Sequence, residues 1–436
     1  MIPFLFLWIF VTSFADLISV SLICRHGDRG PRTTVPTWDL PTPEQLTPLG
    51  MQQQVDVGEF LRKRYVDDLR LFPTEYSSKD IYVRASNYNR TIMSASSQLA
   101  GLYPKGAGPN NLYNYPVLTE LKHDDFVARS FQICPTGIDI WEKTKVSQKY
   151  LDAMSKYDEQ LKKASKLLNV DVNYDTLEKY QNAMECRKQY GGLDPAQEES
   201  FQELSHALHT QELFYYPNDN KEWLKVTDGV LFYELFYDNP AQDGMVTANL
   251  QEKIALNKKK YRLYSMHDST VFATLRSLNY SIPSHPYYAA VVIFEFHASG
   301  EYPNYKNPYV KFYYQPDEQS ARNGDLWVPF TPRGCVKSPV DGDGCTLDSI
   351  QKEFSGDTFP ISQREKYLTE VCGRKDVDRY APAPRTTTKG GPKMLHLILI
   401  AVLGILLAVS VVLIFTRCQK IFKDRKANKE YFPINN

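Results

Sequence analysis

Two arginines, a histidine and a glycine fall within five residues, Arg25-His26-Gly27-Asp28-Arg29, and Gly30-Pro31 follows. Guanidiniums are permanently charged, fork-shaped donors suited to a tetrahedral oxyanion such as phosphate. A histidine between them is held neutral, because nearby positive charge disfavours the imidazolium. A neutral imidazole is a nucleophile. Gly27 lets the backbone approach a ligand closely. An R-H-G triplet alone reads as a strand end with solvated arginines. The fuller spacing R-H-G-x-R-x-P points instead to attack on a phosphoryl group.

Two other stretches carry groups of the same kind. His267-Asp268 follows a strand-like stretch at 261–265 and leads into a helical segment, for which Asp268 or Ser269 is a candidate cap. Arg84 stands at the end of a β-like run at 80–86, and Arg90 lies just beyond it where a helix opens. Strand C-terminal ends and helix N-termini are both places where anions bind.

Strands and helices must hold these groups. Residues 17–22 are apolar or small and predict a buried strand that delivers Arg25 and His26 at its C-terminal end. Thr47-Pro48 predicts a helix start, with an N-cap hydroxyl and a proline at the first helical position. Residues 289–296 and 309–315 alternate and read as paired strands extending the sheet. From about 130 to 229 the texture is helical and polar. Leu151, Met154, Tyr157, Leu161 and Leu168 predict one helix over 150–168, and 198–213 reads likewise. The expected fold class is α/β: a large lobe with a central, mainly parallel sheet flanked by helices, an inserted α-helical cap, and a single C-terminal transmembrane helix.

The motif Arg25-His26-Gly27-x-Arg29-x-Pro31 resembles the signature of the histidine acid phosphatases. Leu46-Thr47-x-x-Gly50-x-x-Gln53, Val83-Arg84 with Arg90-Thr91, and His267-Asp268 are similar to further motifs of that family. The resemblance spans most of residues 17–375. It implies that His26 attacks phosphorus and forms a phosphohistidine. It further implies that Arg25, Arg29, Arg84 and His267 hold the phosphate, with Arg90 left to a structural ion pair. Asp268 would protonate the departing oxygen, its carboxyl raised by partial burial and by the phosphate. Asp28 would orient a guanidinium. Small-molecule phosphomonoesters are the implied substrates, with no metal and no cofactor, because the arginines supply the positive charge. The resemblance pairs Cys134 with Cys372 and Cys335 with Cys345, leaves Cys186 unassigned, and leaves Cys24 a buried free thiol. Two rival readings are a binding ectodomain that has lost turnover and a phosphoglycerate mutase-like transfer enzyme. The filled motif positions disfavour the first and the secretory topology the second.

The chain of 436 residues has a formal net charge of +0, which points away from nucleic acid as a partner. Residues 1–15 are apolar and end in Ser13-Phe14-Ala15, as a cleaved signal peptide does. The ectodomain is expected at 16–380, a Pro/Thr/Gly stalk at 381–393, and a membrane span at 394–416. Arg417, Lys420, Lys423, Arg425, Lys426 and Lys429 follow the span, so the tail at 417–436 is expected to be cytoplasmic and the protein a single-pass type I membrane protein. Cys418 is a candidate for S-palmitoylation. Tyr431-x-x-Ile434 resembles a sorting signal for adaptors, consistent with a lysosomal or plasma-membrane address, and a homodimer stays open. Asn279-Tyr280-Ser281 is the preferred glycosylation sequon, and Asn89-Arg90-Thr91 is expected unused, beside the site.

Overall fold

The computed structural model describes residues 16–105, 114–128, 130–218, 220–237, 259–300, 305–317, 328–360, 363, 366–373 and 417. The chain divides into a unit of residues 1–375 and a second of 376–436. The leader, stalk, membrane-span and Tyr431 expectations lie outside the described residues. Among the described residues no helix is long and apolar enough to cross a membrane.

Strand β1 (Asp16–Arg25) is followed by α1 (Pro48–Arg62), β2 (Ile81–Ala85) and α2 (Asn89–Leu102). Helices α3 (Ser130–Ile133), α4 (Pro135–Lys145), α5 (Gln148–Met154), α6 (Asp158–Leu168), α7 (Leu177–Tyr190), α8 (Pro195–Tyr215), α9 (Lys221–Thr227) and α10 (Gly229–Phe236) come next. Then follow β3 (Tyr261–Met266), α11 (Asp268–Ser277), β4 (Val291–Ser299), β5 (Lys306–Gln315), β6 (Val328–Phe330), β7 (Cys345–Thr346) and α12 (Leu347–Phe354).

The sheet order is β2-β3-β1-β4-β5-β6, with β7 also on β5. Strands β2, β3 and β1 are mutually parallel, Ile81 and Val20 both facing Tyr261 in register. Strand β4 runs antiparallel to β1, and β5, β6 and β7 continue in antiparallel pairs. The sheet is therefore mixed rather than mainly parallel. Only residues 300–305 separate β4 from β5. A parallel crossover needs about a dozen residues or more, so a link this short joins antiparallel neighbours.

Both faces of the sheet are covered. On one, Val20, Leu22 and Cys24 of β1, Val83 of β2 and Leu263 of β3 pack with Val57 and Leu61 of α1 and Leu99 and Leu102 of α2. On the other, Phe236 of α10 meets Phe294 of β4 at 5.8 Å between centroids, and Phe232 meets Phe354 of α12 at 4.9 Å. Strand β1 is buried on both sides, which explains its unbroken run of apolar and small residues.

The helices at 130–236 have their own core of Tyr150, Met154, Leu161, Leu177, Met184, Leu204 and Leu208. The single helix expected over 150–168 is two, α5 and α6, separated by a 3₁₀ turn at Ser155–Tyr157. Helix α8 opens with Asp194 and Gln197 in a reciprocal capping box and Pro195 in its first turn. The structure joins Cys134 to Cys372 and Cys335 to Cys345, and leaves Cys24 and Cys186 as buried free thiols.

Candidate active site

Strands β1 and β3 end side by side, with Arg25 opposite Met266, so the two chemistry-bearing loops leave the sheet together. His26 follows β1 and is fully buried. Its Nδ1 lies 2.8 Å from the Gly27 carbonyl, an acceptor, so Nδ1 carries the proton and Nε2 the lone pair. That Nε2 is buried and has no hydrogen-bond partner among the described residues. Burial first, then Arg25, Arg90 and Arg29, hold the imidazole well below its usual range, so it stays neutral in acid. A tautomer fixed at one nitrogen and open at the other is the form a nucleophile needs.

The loop holding His26 is clamped from two helices. Gly27 N–H donates to Ser94 Oγ of α2 at 3.1 Å, and Asp28 N–H donates to Gln53 Oε1 of α1 at 2.7 Å. Thr47 caps α1 by accepting from Gly50 N–H at 3.1 Å. A Cβ on Gly27 would stand 2.1 Å from the Gly50 carbonyl oxygen, so only glycine permits this approach. Asp28 does not orient a guanidinium as expected. Its carboxylate accepts from Thr47 Oγ1 and from the Tyr190 hydroxyl, fastening the loop to α1 and α7.

Three buried guanidiniums act on His26, those of Arg25, Arg29 and Arg90. Arg25 Nη2 lies 3.1 Å from Asp268 Oδ2, and its Nη1 donates to the Pro286 carbonyl. Its Cζ sits 4.0 Å from the centroid of the Tyr288 ring. Arg29 Nη1 donates to Asn182 Oδ1 at 2.8 Å and to the Gly30 carbonyl at 2.9 Å. Arg90, in the first turn of α2, has its Cζ 4.4 Å from the Tyr88 ring centroid, and Glu44 is 4.0 Å away. Burial and the charge of Arg29 push the Arg90 guanidinium down to about 10, the direction expected of a cation crowded by cations.

Arg84 is placed differently from its expected role. Its Nη2 pairs with Asp125 at 3.0 Å and its Nη1 with Glu234 at 3.4 Å, all three buried. Strand alternation puts Arg84 on the sheet face opposite Val83, which packs with α1 and α2. Arg84 thus makes the structural ion pairs that were expected of Arg90, while the charge of Arg90 acts on His26 and His267.

His267 follows β3 at the N-cap position of α11, and its ring centroid is 5.6 Å from that of His26. Its Nε2 is 2.8 Å from Ser86 Oγ, whose hydroxyl donates to Thr91 Oγ1 at 3.0 Å. Asp268 is the first residue of α11 rather than its cap, and its Oδ1 accepts from Ser269 N–H at 2.7 Å. Its carboxyl is not raised as expected. Burial pushes it up, but Arg25 and His285 outweigh burial and hold it well below the usual carboxylate range.

A cavity of about 220 Å³ opens on Asp268, with Phe131, Trp141, Tyr174, Tyr215 and Tyr216 in its wall. A second, of about 480 Å³, reaches Asp28, Glu185, His285 and Tyr288. Helix α7 serves both sides of the site from one face: Glu178 pairs with Arg32, Asn182 with Arg29, and Tyr190 with Asp28. Sequence reasoning missed Arg32, Asn182, Tyr288, His285 and Glu212. The i, i+4 spacing of Glu178 and Asn182 was readable, but nothing local says which helix face meets a distant loop. Asn279 is exposed and accepts from Asn218 Nδ2 at 2.8 Å, and Asn89 is also exposed.

Residues 32–315 match the model of the histidine phosphatase superfamily, branch 2. Human prostatic acid phosphatase is 29% identical over 385 residues, which cover 84% of this chain and 92% of the human protein. Mouse prostatic acid phosphatase is 28% identical over 357 residues, covering 77% and 87% respectively. Lysosomal acid phosphatase from Xenopus laevis is 29% identical over 301 residues, covering 64% and 66%. Among solved structures, Citrobacter braakii phytase aligns with a TM-score of 0.58 at 15% identity, over 79% of this chain and 98% of the phytase. Hafnia alvei phytase in complex with tartrate aligns at 0.58 with 16% identity, over 80% and 98%. At these identities the structural likeness speaks for the fold.

Proposed function

This chain belongs to branch 2 of the histidine phosphatase superfamily, and we propose that it hydrolyses phosphate monoesters as an acid phosphatase through a phosphohistidine on His26. The observation that carries the reading is the His26 imidazole, with Nδ1–H tied to Gly27 and a buried Nε2, without a partner among the described residues, close to three guanidiniums. In the first step Nε2 forms a bond to phosphorus and the P–O bond to the alcohol breaks. The electron pair leaves on the alcohol oxygen, which takes a proton through Asp268, whose carboxyl gains it in the substrate complex, where the phosphate's negative charge raises it. In the second step water attacks phosphorus, Asp268 takes its proton, and the N–P bond breaks to return a neutral His26. Arg25, Arg29, Arg90 and His267 hold the phosphoryl oxygens as charge spreads over them.

Asp268 lines the aromatic cavity, so the alcohol leaves into it. At about 220 Å³ it is smaller than the ~300–1,000 Å³ of a typical ligand site. That favours a compact or aromatic alcohol over a polyphosphorylated one. We assign the enzyme to a lysosomal or cell-surface compartment. The apolar run at 395–415 with basic residues after it supports a membrane anchor, and the names of the prostatic and lysosomal relatives support the compartment.

The test is rapid quench of the protein with ³²P-labelled aryl phosphate at pH 5. The expected result is an acid-labile, base-stable phosphoenzyme that forms within one turnover and is missing from His26→Ala. Full turnover by a folded His26→Ala protein would remove His26 as nucleophile.

A further inference from the structure

A phosphate ester of an ordinary alcohol needs a proton on its leaving oxygen, and Asp268 is poorly placed to hold one. Arg25 touches its carboxylate at 3.1 Å, and a guanidinium cannot yield a proton. Another group at the same carboxylate can. His285, in the connection between α11 and β4, has Nε2 3.5 Å from Asp268 Oδ2. Its Nδ1 is 2.6 Å from Glu212 Oε1 on α8. The three side chains are 17%, 5% and 12% exposed for His285, Asp268 and Glu212. A neutral imidazole can donate at one nitrogen alone, so two carboxylates on opposite nitrogens select the imidazolium.

We propose that His285, braced by Glu212, is a positioning residue that keeps a proton beside Asp268, so that the pair rather than a lone carboxyl supplies the acid for poor leaving groups. This rests on the phosphohistidine reading above. The proton on His285 Nε2 passes to Asp268 Oδ2 and from Asp268 to the alcohol oxygen as the P–O bond breaks. His285 is then neutral, still donating Nδ1–H to Glu212. When water attacks the phosphohistidine, its proton goes to Asp268 and returns to Nε2, which closes the balance. A bound phosphate dianion raises the Asp268 carboxyl and eases the transfer, and contacts of this kind tighten when substrate binds.

The charges around His285 set its sign. Burial and Arg25 of β1 oppose the imidazolium, while Glu212 of α8 and Asp268 of α11 favour it and win, raising it to about 10. His209 of α8 also faces it as a neutral ring pushed down by burial and by His285. Burial pushes the Glu212 carboxyl up against the pull of His285, with Glu178 of α7 acting at longer range. Arg32 acts on Asp268. His285 therefore stays protonated across acidic and neutral pH, beyond the reach of a lone carboxyl acid.

The experiment compares glycerol phosphate, a poor leaving group, with 4-nitrophenyl phosphate, a good one, from pH 4 to 8. It uses wild type, His285→Gln and Glu212→Gln, each checked for folding by its thermal midpoint. His285→Gln is expected to lose at least tenfold in kcat on glycerol phosphate and less than threefold on the aryl ester. The alkaline limb for glycerol phosphate should move about one pH unit toward acid, and Glu212→Gln should shift it less in the same direction. Equal losses on both esters, or an unmoved limb, would overturn the proposal. If neither variant folds, ¹⁵N-histidine NMR of wild type decides: an imidazolium at His285 through pH 8 supports it, and a neutral ring at pH 6 overturns it. Failure of the phosphohistidine reading looks different, as wild type would then show no phosphoenzyme at all.

Discussion

Two arginines six residues apart make opposite demands on the protein. Arg90 is crowded by Arg29, and its favourable charges, Glu44 at 4.0 Å and Asp268, do not offset burial and its cationic neighbours, so an arriving phosphate relieves it. Arg84 already pairs with Asp125 and with Glu234 of α10. The two substitutions should therefore fail in different ways. Arg90→Ala is expected to keep its thermal midpoint within a few degrees and lose about 10²–10³ in kcat/KM, the usual effect of removing one donor aimed at developing charge. Arg84→Ala removes the cation paired with two buried carboxylates and is expected to cost about 3–5 kcal/mol of stability, with any surviving folded fraction turning over normally. Steady-state kinetics and urea unfolding on both variants separate the cases. An Arg84→Ala protein that is stable but inactive would return Arg84 to the phosphate set.

The reason sequence reading did not foresee the ion pairs of Arg84 lies at the level of the element. Arg84 sits within β2, where period-two alternation decides its face, and Tyr82 and Arg84 point away from α1 and α2. Arg90 lies in α2, whose first turn aims at the ends of β1 and β3. A strand-end rule could not tell these apart, because it needs to know which face of the strand the site occupies. What was legible was local: the buried strand before His26, the Thr47-Pro48 helix start, the strand before His267, and the paired strands that became β4 and β5. The brace on Asp268 was not, because Glu212 and His285 lie 73 residues apart and meet only in the fold. The same element logic makes a prediction about α1. Thr47 caps α1 and binds Asp28, while Gly50 lies so close that a Cβ there would be 2.1 Å from the Asp28 carbonyl oxygen. Gly50→Ala must push α1 and the His26 loop apart. Misplacing a catalytic group by about 1 Å can cost roughly 10²-fold, so kcat should fall at least tenfold. Phosphate affinity, read by isothermal titration, should fall with it. A Gly50→Ala protein with wild-type kcat would show that the clamp does not position His26.

Over the whole unit, the bond between Cys134 and Cys372 has the longest reach. It joins the start of α4 to the C-terminal end of the described unit, across 238 residues, and both cysteines are fully buried. Helices α4 to α12 and strands β3 to β7 lie inside the loop it closes. The second bond, Cys335–Cys345, closes only 10. If a disulfide stabilises chiefly by restricting the unfolded chain, the long loop is worth about 5 kcal/mol and the short one about 3 kcal/mol. Packing adds to the difference, since Thr136 beside Cys134 donates to the Val371 carbonyl at 2.7 Å and holds the same two segments together. Replacing Cys134 and Cys372 together by alanine should therefore lower the urea midpoint more than replacing Cys335 and Cys345. Below its own transition the first variant should still hydrolyse aryl phosphate, because neither sulfur approaches His26 or Asp268 in the contacts that build the site. Equal shifts in the two variants would mean that loop length is not what sets their contribution. Loss of activity without unfolding would mean that the bond also positions the helices walling the aromatic cavity.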